Sequence, residues 1–149
     1  MKAIAVFKDN LKGFVTFTEK DNEIIIRGKI SGLDKKSFHA IHIHEYGDLT
    51  DCKSMGPHFN PFKKQHGDVN DKNRHIGDLG NIKSNENGEA NFRFKDSLLS
   101  LKNNKRNILG RGLVIHIGKD DLGKTTHPDS LITGNAGGRL DCAVIGLMK

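Results

Sequence analysis

Short apolar runs rich in β-branched residues, separated by turn signals at intervals of about 8 to 12 residues, most constrain what this chain can fold into. The first four are "KAIAVFK" (2–8), "GFVTFTEK" (13–20), "EIIIRGKI" (23–30) and "FHAIHIHEY" (38–46). Side chains alternate along a strand, so Phe14 and Thr16 face one way and Val15 and Phe17 the other. "GNIKSN" (80–85) and "EANFRFK" (89–95) are joined through the tight-turn signal "ENG". "GLVIHIG" (112–118) and "LDCAVIGLMK" (140–149) bring the count to eight. This rhythm predicts an all-β sandwich or barrel, one domain over 1–149. Residues 47–79 and 119–138 break the rhythm with Gly, Pro, Asp, Asn, Thr and His. Loops of that length inside a compact domain are usually functional or disordered. Helix is expected to be minimal, at most one turn near Pro128.

Composition agrees with a turn-rich soluble protein rather than a helical bundle: 35 % hydrophobic residues, 17 glycines and no Trp in 149 residues, at a mean hydropathy of −0.54. The formal net charge is +6. A basic balance suits nucleic acid, an anionic surface or an anionic substrate. The bases read as scattered apart from "KNNKRN" (102–107), a solvated loop, and no nucleic-acid-binding motif is present. Neither nucleic acid nor membrane is therefore expected as a partner. The N-terminal stretch has no long apolar run or cleavage site, and nothing approaches a membrane span, so a cytoplasmic protein is expected.

Eight histidines carry the chemistry. His42 and His44, two apart in a strand, point to one side while Ile41 and Ile43 point to the other, which makes a chelating pair. His39 is out of phase with both and reads as a hydrogen-bonded structural residue. His116, in a second strand, gains interest beside such a pair. In the long loop, His58, His66, His75 and Asp78 offer three nitrogens and an oxygen, a set suited to tetrahedral zinc. A metal would also order a loop that lacks an apolar core. His127 reads as an exposed loop residue. Cys52 and Cys142 read, from spacing alone, as buried thiols, although a bridge between them would close a loop of about 90 residues.

"HIHEYGD", "GPHFNP", "RHIGDLGNI", "DDLGK" and "GNAGGRLDCAVIG", in this order and spacing, are similar to the motifs of copper/zinc superoxide dismutases. The resemblance covers nearly the whole chain. Members of that family are known sandwich proteins, so it implies an eight-stranded antiparallel Greek-key β-sandwich or barrel with two long functional loops. It implies copper on His42, His44, His58 and His116, and zinc on His58, His66, His75 and Asp78, with His58 bridging the two as an imidazolate. Asp120 would link imidazoles of the two sites, Arg139 would stand above the copper as a catalytic residue with His58, and Cys52 and Cys142 would form a disulfide. The implied reaction is disproportionation: one superoxide anion is oxidised to oxygen and a second, with two protons, is reduced to hydrogen peroxide. A homodimer and a copper chaperone are the implied partners, in the cytosol, or the host cytosol for a virus-encoded chain.

Departures from the pattern matter. In "KTTHPDSLITGNAGGR" (124–139), Pro128 and Asp129 stand at positions of paired acids and Ile132 at that of a lysine, while Lys119 and Lys124 remain. Attraction of the anion is then expected to rest on Arg139 and net charge. The loop between His44 and Cys52 is one residue short, and Gly47, Asp48, Gly110, Arg111 and 144–147 match the dimer surface in broad terms. The rival reading is a non-catalytic dismutase-like protein that binds metal or a copper chaperone. The complete set of four copper-position histidines and Arg139 speaks against it.

Overall fold

Alternation sorts the first strands onto a core. A computed structural model describes residues 1–149. In it β1 (Lys2–Phe7), β2 (Lys12–Lys20) and β3 (Glu23–Ser31) form an antiparallel meander. Val15, Phe17, Ile26 and Ile30 point inward and are fully buried, while Phe14 and Arg27 face solvent. The other strands are β4 (Phe38–His44), β5 (Asp78–Lys83), β6 (Ala90–Asp96), β7 (Gly112–His116), β8 (Arg139–Val144) and β9 (Gly146–Leu147). One sheet has the order β6-β3-β2-β1-β9 and the other β5-β4-β7-β8. Ile41, Ile43, Leu113 and Ile115 of the second sheet meet the first across a single apolar core.

One expectation needs correction, and one alternative is decided. There are nine strands rather than eight, and the sheets form an open sandwich, not a closed barrel. The last run splits at Ile145. Its N–H donates to Arg111 O (2.9 Å) and its carbonyl accepts from Gly110 N–H (2.8 Å), so this residue leaves the ladder. Val144 still pairs with Gly112 in one sheet, whereas Gly146 pairs with Ile4 in the other. The one helical turn, α1 (Ser130–Thr133), starts two residues after Pro128.

β4 differs from the meander because both of its faces are buried. Ile41 and Ile43 enter the core; His42 and His44 lie on the other face, beneath the two long loops. A 3-10 turn at Lys53–Met55 packs the first loop down. Arg74, buried in that loop, pairs with buried Asp96 of β6 at 2.8 Å and donates to Val69 O, His75 O and Ile76 O. A buried pair with its hydrogen bonds met fixes a geometry even where its net stabilisation is small.

Candidate metal centre

Backbone carbonyls decide which nitrogen each imidazole offers. His44 Nδ1–H donates to Gly56 O (2.8 Å) and His116 Nδ1–H to Gly137 O (3.1 Å), leaving both Nε2 lone pairs free. These two Nε2 atoms lie 3.4 Å apart. Two lone pairs cannot bond each other, so the geometry calls for a cation between them. His42 Nε2–H donates to Asp120 Oδ2 (2.7 Å), which turns its Nδ1 inward, where it is buried without a partner. His58 Nε2 is likewise buried and unpartnered. Such orphaned atoms are expensive unless something coordinates them. The ligand atoms of His42, His44, His58 and His116 all lie within 4.8 Å of one another, a set that fits copper.

The other nitrogen of His58 belongs to a second cluster. Its Nδ1 lies 3.0 Å from Asp78 Oδ1 and 3.1 Å from His75 Nδ1. His66 Nδ1 and His75 Nδ1 lie 2.8 and 3.2 Å from the same carboxylate oxygen. Three imidazole nitrogens and one carboxylate oxygen thus converge, a donor set that fits zinc. His42 also comes near this cluster, but its Nε2 is committed to Asp120, and His75 is the better fourth member. Asp78 Oδ2 is held by Gly67 N–H (3.0 Å) and His75 N–H (2.8 Å).

Asp120, wholly buried, joins the clusters from behind: Oδ2 accepts from His42 and Oδ1 from His66 Nε2–H, each at 2.7 Å. Carboxylates in this position orient metal-binding imidazoles and raise their basicity. Asn81 of β5 holds the Asp120 backbone on both sides, donating to its carbonyl (3.0 Å) and accepting its N–H (2.7 Å). Gly134 closes the site at φ +73°; a Cβ there would stand 2.0 Å from Asp120 Oδ1 and 2.5 Å from His66 Nε2.

Burial governs the titration of the metal-free cluster. It pushes His42, His44 and His58 below the usual imidazole value and His116 down to about 4. At neutral pH these rings are uncharged lone-pair donors. Burial acts the same way on His66, but hydrogen bonds to Asp120 and Asp78 outweigh it and raise His66 to about 9. Asp78 is held far below the carboxylate range: burial opposes this, and the three histidine partners prevail.

Arg139 is anchored beside the cluster of His42, His44, His58 and His116. Its Nη1 donates to Cys52 O (2.5 Å) and its Nη2 to Gly56 O (2.6 Å), the carbonyl that also orients His44. The Cys52–Cys142 disulfide, with Cα atoms 5.7 Å apart, ties that loop to β8 and so sets where Arg139 stands. The buried-thiol reading from spacing alone is overturned. Arg139, His44, His58 and His116 line an open cleft with Asp129, Ile132 and Thr133 at its rim.

His39 is buried and pairs its Nδ1–H with His116 O (2.9 Å), a structural role, and His127 is exposed. Lys119 and Lys124 are both engaged, the first 4.8 Å from the Phe38 ring centre and the second 3.3 Å from Asp68. Sequence reasoning missed Arg74, Asn81 and Asp121. Asp121 accepts from Ser130 Oγ (2.8 Å) and Thr125 Oγ1 (2.6 Å) and braces the second loop. The available signal was their position beside ligands, in "RHIGDLGN" and "KDD".

A β-sandwich carrying two donor clusters that share one imidazole defines a two-metal protein. Residues 11–145 match the profile of the family described as copper/zinc superoxide dismutase. Superoxide dismutase (Cu-Zn) 5 of Dictyostelium discoideum is 49 % identical over 153 residues, covering 100 % of this chain and 99 % of that one. A Cu-Zn superoxide dismutase of Paramecium bursaria Chlorella virus 1 is 49 % identical over 150 residues, covering 100 % and 80 %. The crystal structure of the clock protein EA4 superimposes with a TM-score of 0.94 at 45 % identity, covering 99 % of this chain and 94 % of that one. The chain belongs to the copper/zinc superoxide dismutase family, and copper and zinc are its metals.

Proposed function

We propose that this protein dismutates superoxide, with copper held by His42, His44, His58 and His116 and zinc by His58, His66, His75 and Asp78. The observation that carries the reading is His58: one nitrogen faces each cluster, and its Nε2 is buried with no partner in the protein. Copper there would supply one-electron transfer by cycling between two oxidation states, beside redox-silent zinc. Arg139 docks the anion with a fixed positive charge. His58 Nε2, which has no partner in the protein, is the position that would take up a proton for the product. Superoxide dismutases are a standard example of electrostatically steered enzymes. With Lys124 paired to Asp68 and Ile132 exposed on the rim, the second loop adds little, and the attraction rests on Arg139 and net charge, with Lys64, Lys105 and Arg111 also lining the cleft.

A two-fold dimer through Gly47, Asp48, Gly110, Arg111 and 144–147, delivery of copper by a chaperone, and a cytosolic setting complete the proposal. The test is dismutation by the purified protein before and after loading with copper and zinc, with metal content measured on the same samples. Activity proportional to bound copper, abolished by a copper chelator, is expected. Full zinc binding with copper bound but inactive would overturn the assignment. A rate that does not fall with added salt would remove the steering claim, and a monomeric mass in sedimentation would remove the dimer.

A further inference from the structure

β8 carries a charge where its alternation calls for an apolar residue. Asp141 shares the buried side of the strand with Ala143 and is only 4 % exposed. Its Oδ2 accepts Leu11 N–H (2.9 Å) and its Oδ1 accepts Cys142 N–H (2.8 Å). With both oxygens acting as acceptors, the group is a carboxylate rather than a neutral acid. Unlike buried Asp96, which pairs with Arg74, it forms no ion pair. Carboxylates are seldom buried in that state.

The same carboxylate has an oxygen within 4.8 Å of the sulfurs of both Cys52 and Cys142. Disulfides are opened by thiolates. A thiolate attacks one sulfur, a mixed disulfide forms, and the other cysteine leaves as a thiolate. A second thiolate then displaces the remaining cysteine and carries the reductant away as its own disulfide; each cysteine thiolate ends by taking a proton. Negative charge is spread over three sulfurs in each transition state. Both cysteines are half-buried, so a small thiol can reach them. Arg139, whose charge serves to receive an anion, donates to Cys52 O and draws thiolates to the same junction. A fixed negative charge beside the sulfurs opposes that attraction and raises the barrier to attack.

We propose that Asp141 guards the Cys52–Cys142 bond by charge, slowing its opening by thiolates while leaving its equilibrium nearly unchanged. Opening and closing share their transition states, so both are slowed. The end states, a disulfide and a pair of thiols neutral near pH 7, carry no charge for Asp141 to repel. The bond that sets where Arg139 stands is thereby kept by rate. The competing role for Asp141 is a plain clamp on Leu11. A clamp would favour the closed bond at equilibrium and would be indifferent to the charge of the reductant. The inference rests on the disulfide in the structure and is independent of the proposed dismutation.

The test follows opening of the bond in metal-loaded protein at low salt with 3-mercaptopropionate, 2-mercaptoethanol and cysteamine, whose substituents are negative, neutral and positive. Free cysteines are trapped by alkylation and counted by mass. Each rate is taken relative to that of the same thiolate with hydroxyethyl disulfide, which removes differences in nucleophilicity. Asp141→Asn should speed opening about tenfold with mercaptopropionate, about fivefold with mercaptoethanol and less than about twofold with cysteamine. In a glutathione redox buffer its equilibrium constant should stay within about twofold of wild type, because closing accelerates as well. If Asp141→Asn does not fold, Asp141→Ser replaces it. Equal acceleration with all three thiols, or an equilibrium shifted further toward the open form, would show a clamp and overturn the inference. So would unchanged rates, or a bond that none of the three opens in either protein, since access rather than charge would then protect it.

Discussion

β3 and β4 obey the same alternation and put it to opposite uses. In β3, Ile26 and Ile30 enter the core while Arg27 and Lys29 reach solvent, so period two separates inside from outside. In β4, Ile41 and Ile43 also enter the core, but the alternating His42 and His44 are as buried as the isoleucines. A polar residue every second position thus has two meanings. With flexible charged side chains it marks a wet face; with imidazoles, and loops long enough to cover them, it marks a second, polar interior. The first interior is stabilised by removing apolar surface from water. The second holds burial-neutralised rings and orphaned nitrogens, and is complete only with metal.

Metal removal should separate the two interiors most sharply. Chelation should abolish dismutation, lower stability by about 4 kcal/mol or more, and strip hydrogen-exchange protection from 57–78 and 119–138. The meander β1–β3 should stay protected; simultaneous loss there would show one cooperative unit. Cys142→Ser comes next, lowering stability by about 2–5 kcal/mol. It should also cut the dismutation rate through the released Arg139. A stable variant with an unchanged rate would mean that the loop holds its place without the bond.

Acid should act on the metal-free protein mainly through the polar interior. Folded-state values of His42, His44, His58 and His116 are depressed, so the unfolded chain binds protons first. Stability should fall as pH drops below about 6.5, by up to about 1.4 kcal/mol per unit for each group, and level for His116 near 4. His66, raised to about 9, has the opposite sign: its contribution is complete below about 6.5 and lost as pH rises through 9. Denaturant midpoints at intervals from pH 4 to pH 9, with chelator present, should therefore peak near neutrality; a flat profile would contradict the burial argument. The smallest effect belongs to the wet face, where Arg93→Thr should change stability by less than about 0.5 kcal/mol, or raise it by easing the repulsion from Arg27, its partner across β3 and β6.

The strands, the inward and outward faces, and the histidine pair of β4 were legible because each is local and obeys period two. The convergence of His58, His66, His75 and Asp78 was legible from residue types crowded into one loop. Features made by distant segments were not. Nothing near Arg74 announces Asp96, and nothing in "GKDD" tells that Asn81 grips Asp120. The Cys52–Cys142 bond followed only from family resemblance, since its ends lie 90 residues apart. The split at Ile145 escaped because the run around it is apolar, and only backbone partners from Gly110 and Arg111 interrupt it. Asp141 escaped as a neighbour of the disulfide because Leu11, Cys52 and β8 meet only in the folded chain.

The crossing at Ile145 bears on when the molecule can mature. Val144 and Gly146 finish different sheets, one against β7 and the other against β1, and the same short stretch carries Cys142 and Arg139. During synthesis every histidine of the two clusters emerges before any of these. A nascent chain can gather its metal-binding rings early, yet neither sheet closes, no disulfide locks the first loop, and no guanidinium reaches its carbonyls until residues 139–147 leave the ribosome. Catalytic competence is thereby deferred until residues 139–147 have emerged, and a newly made chain passes through a metal-binding stage that has no anchored arginine to receive the anion.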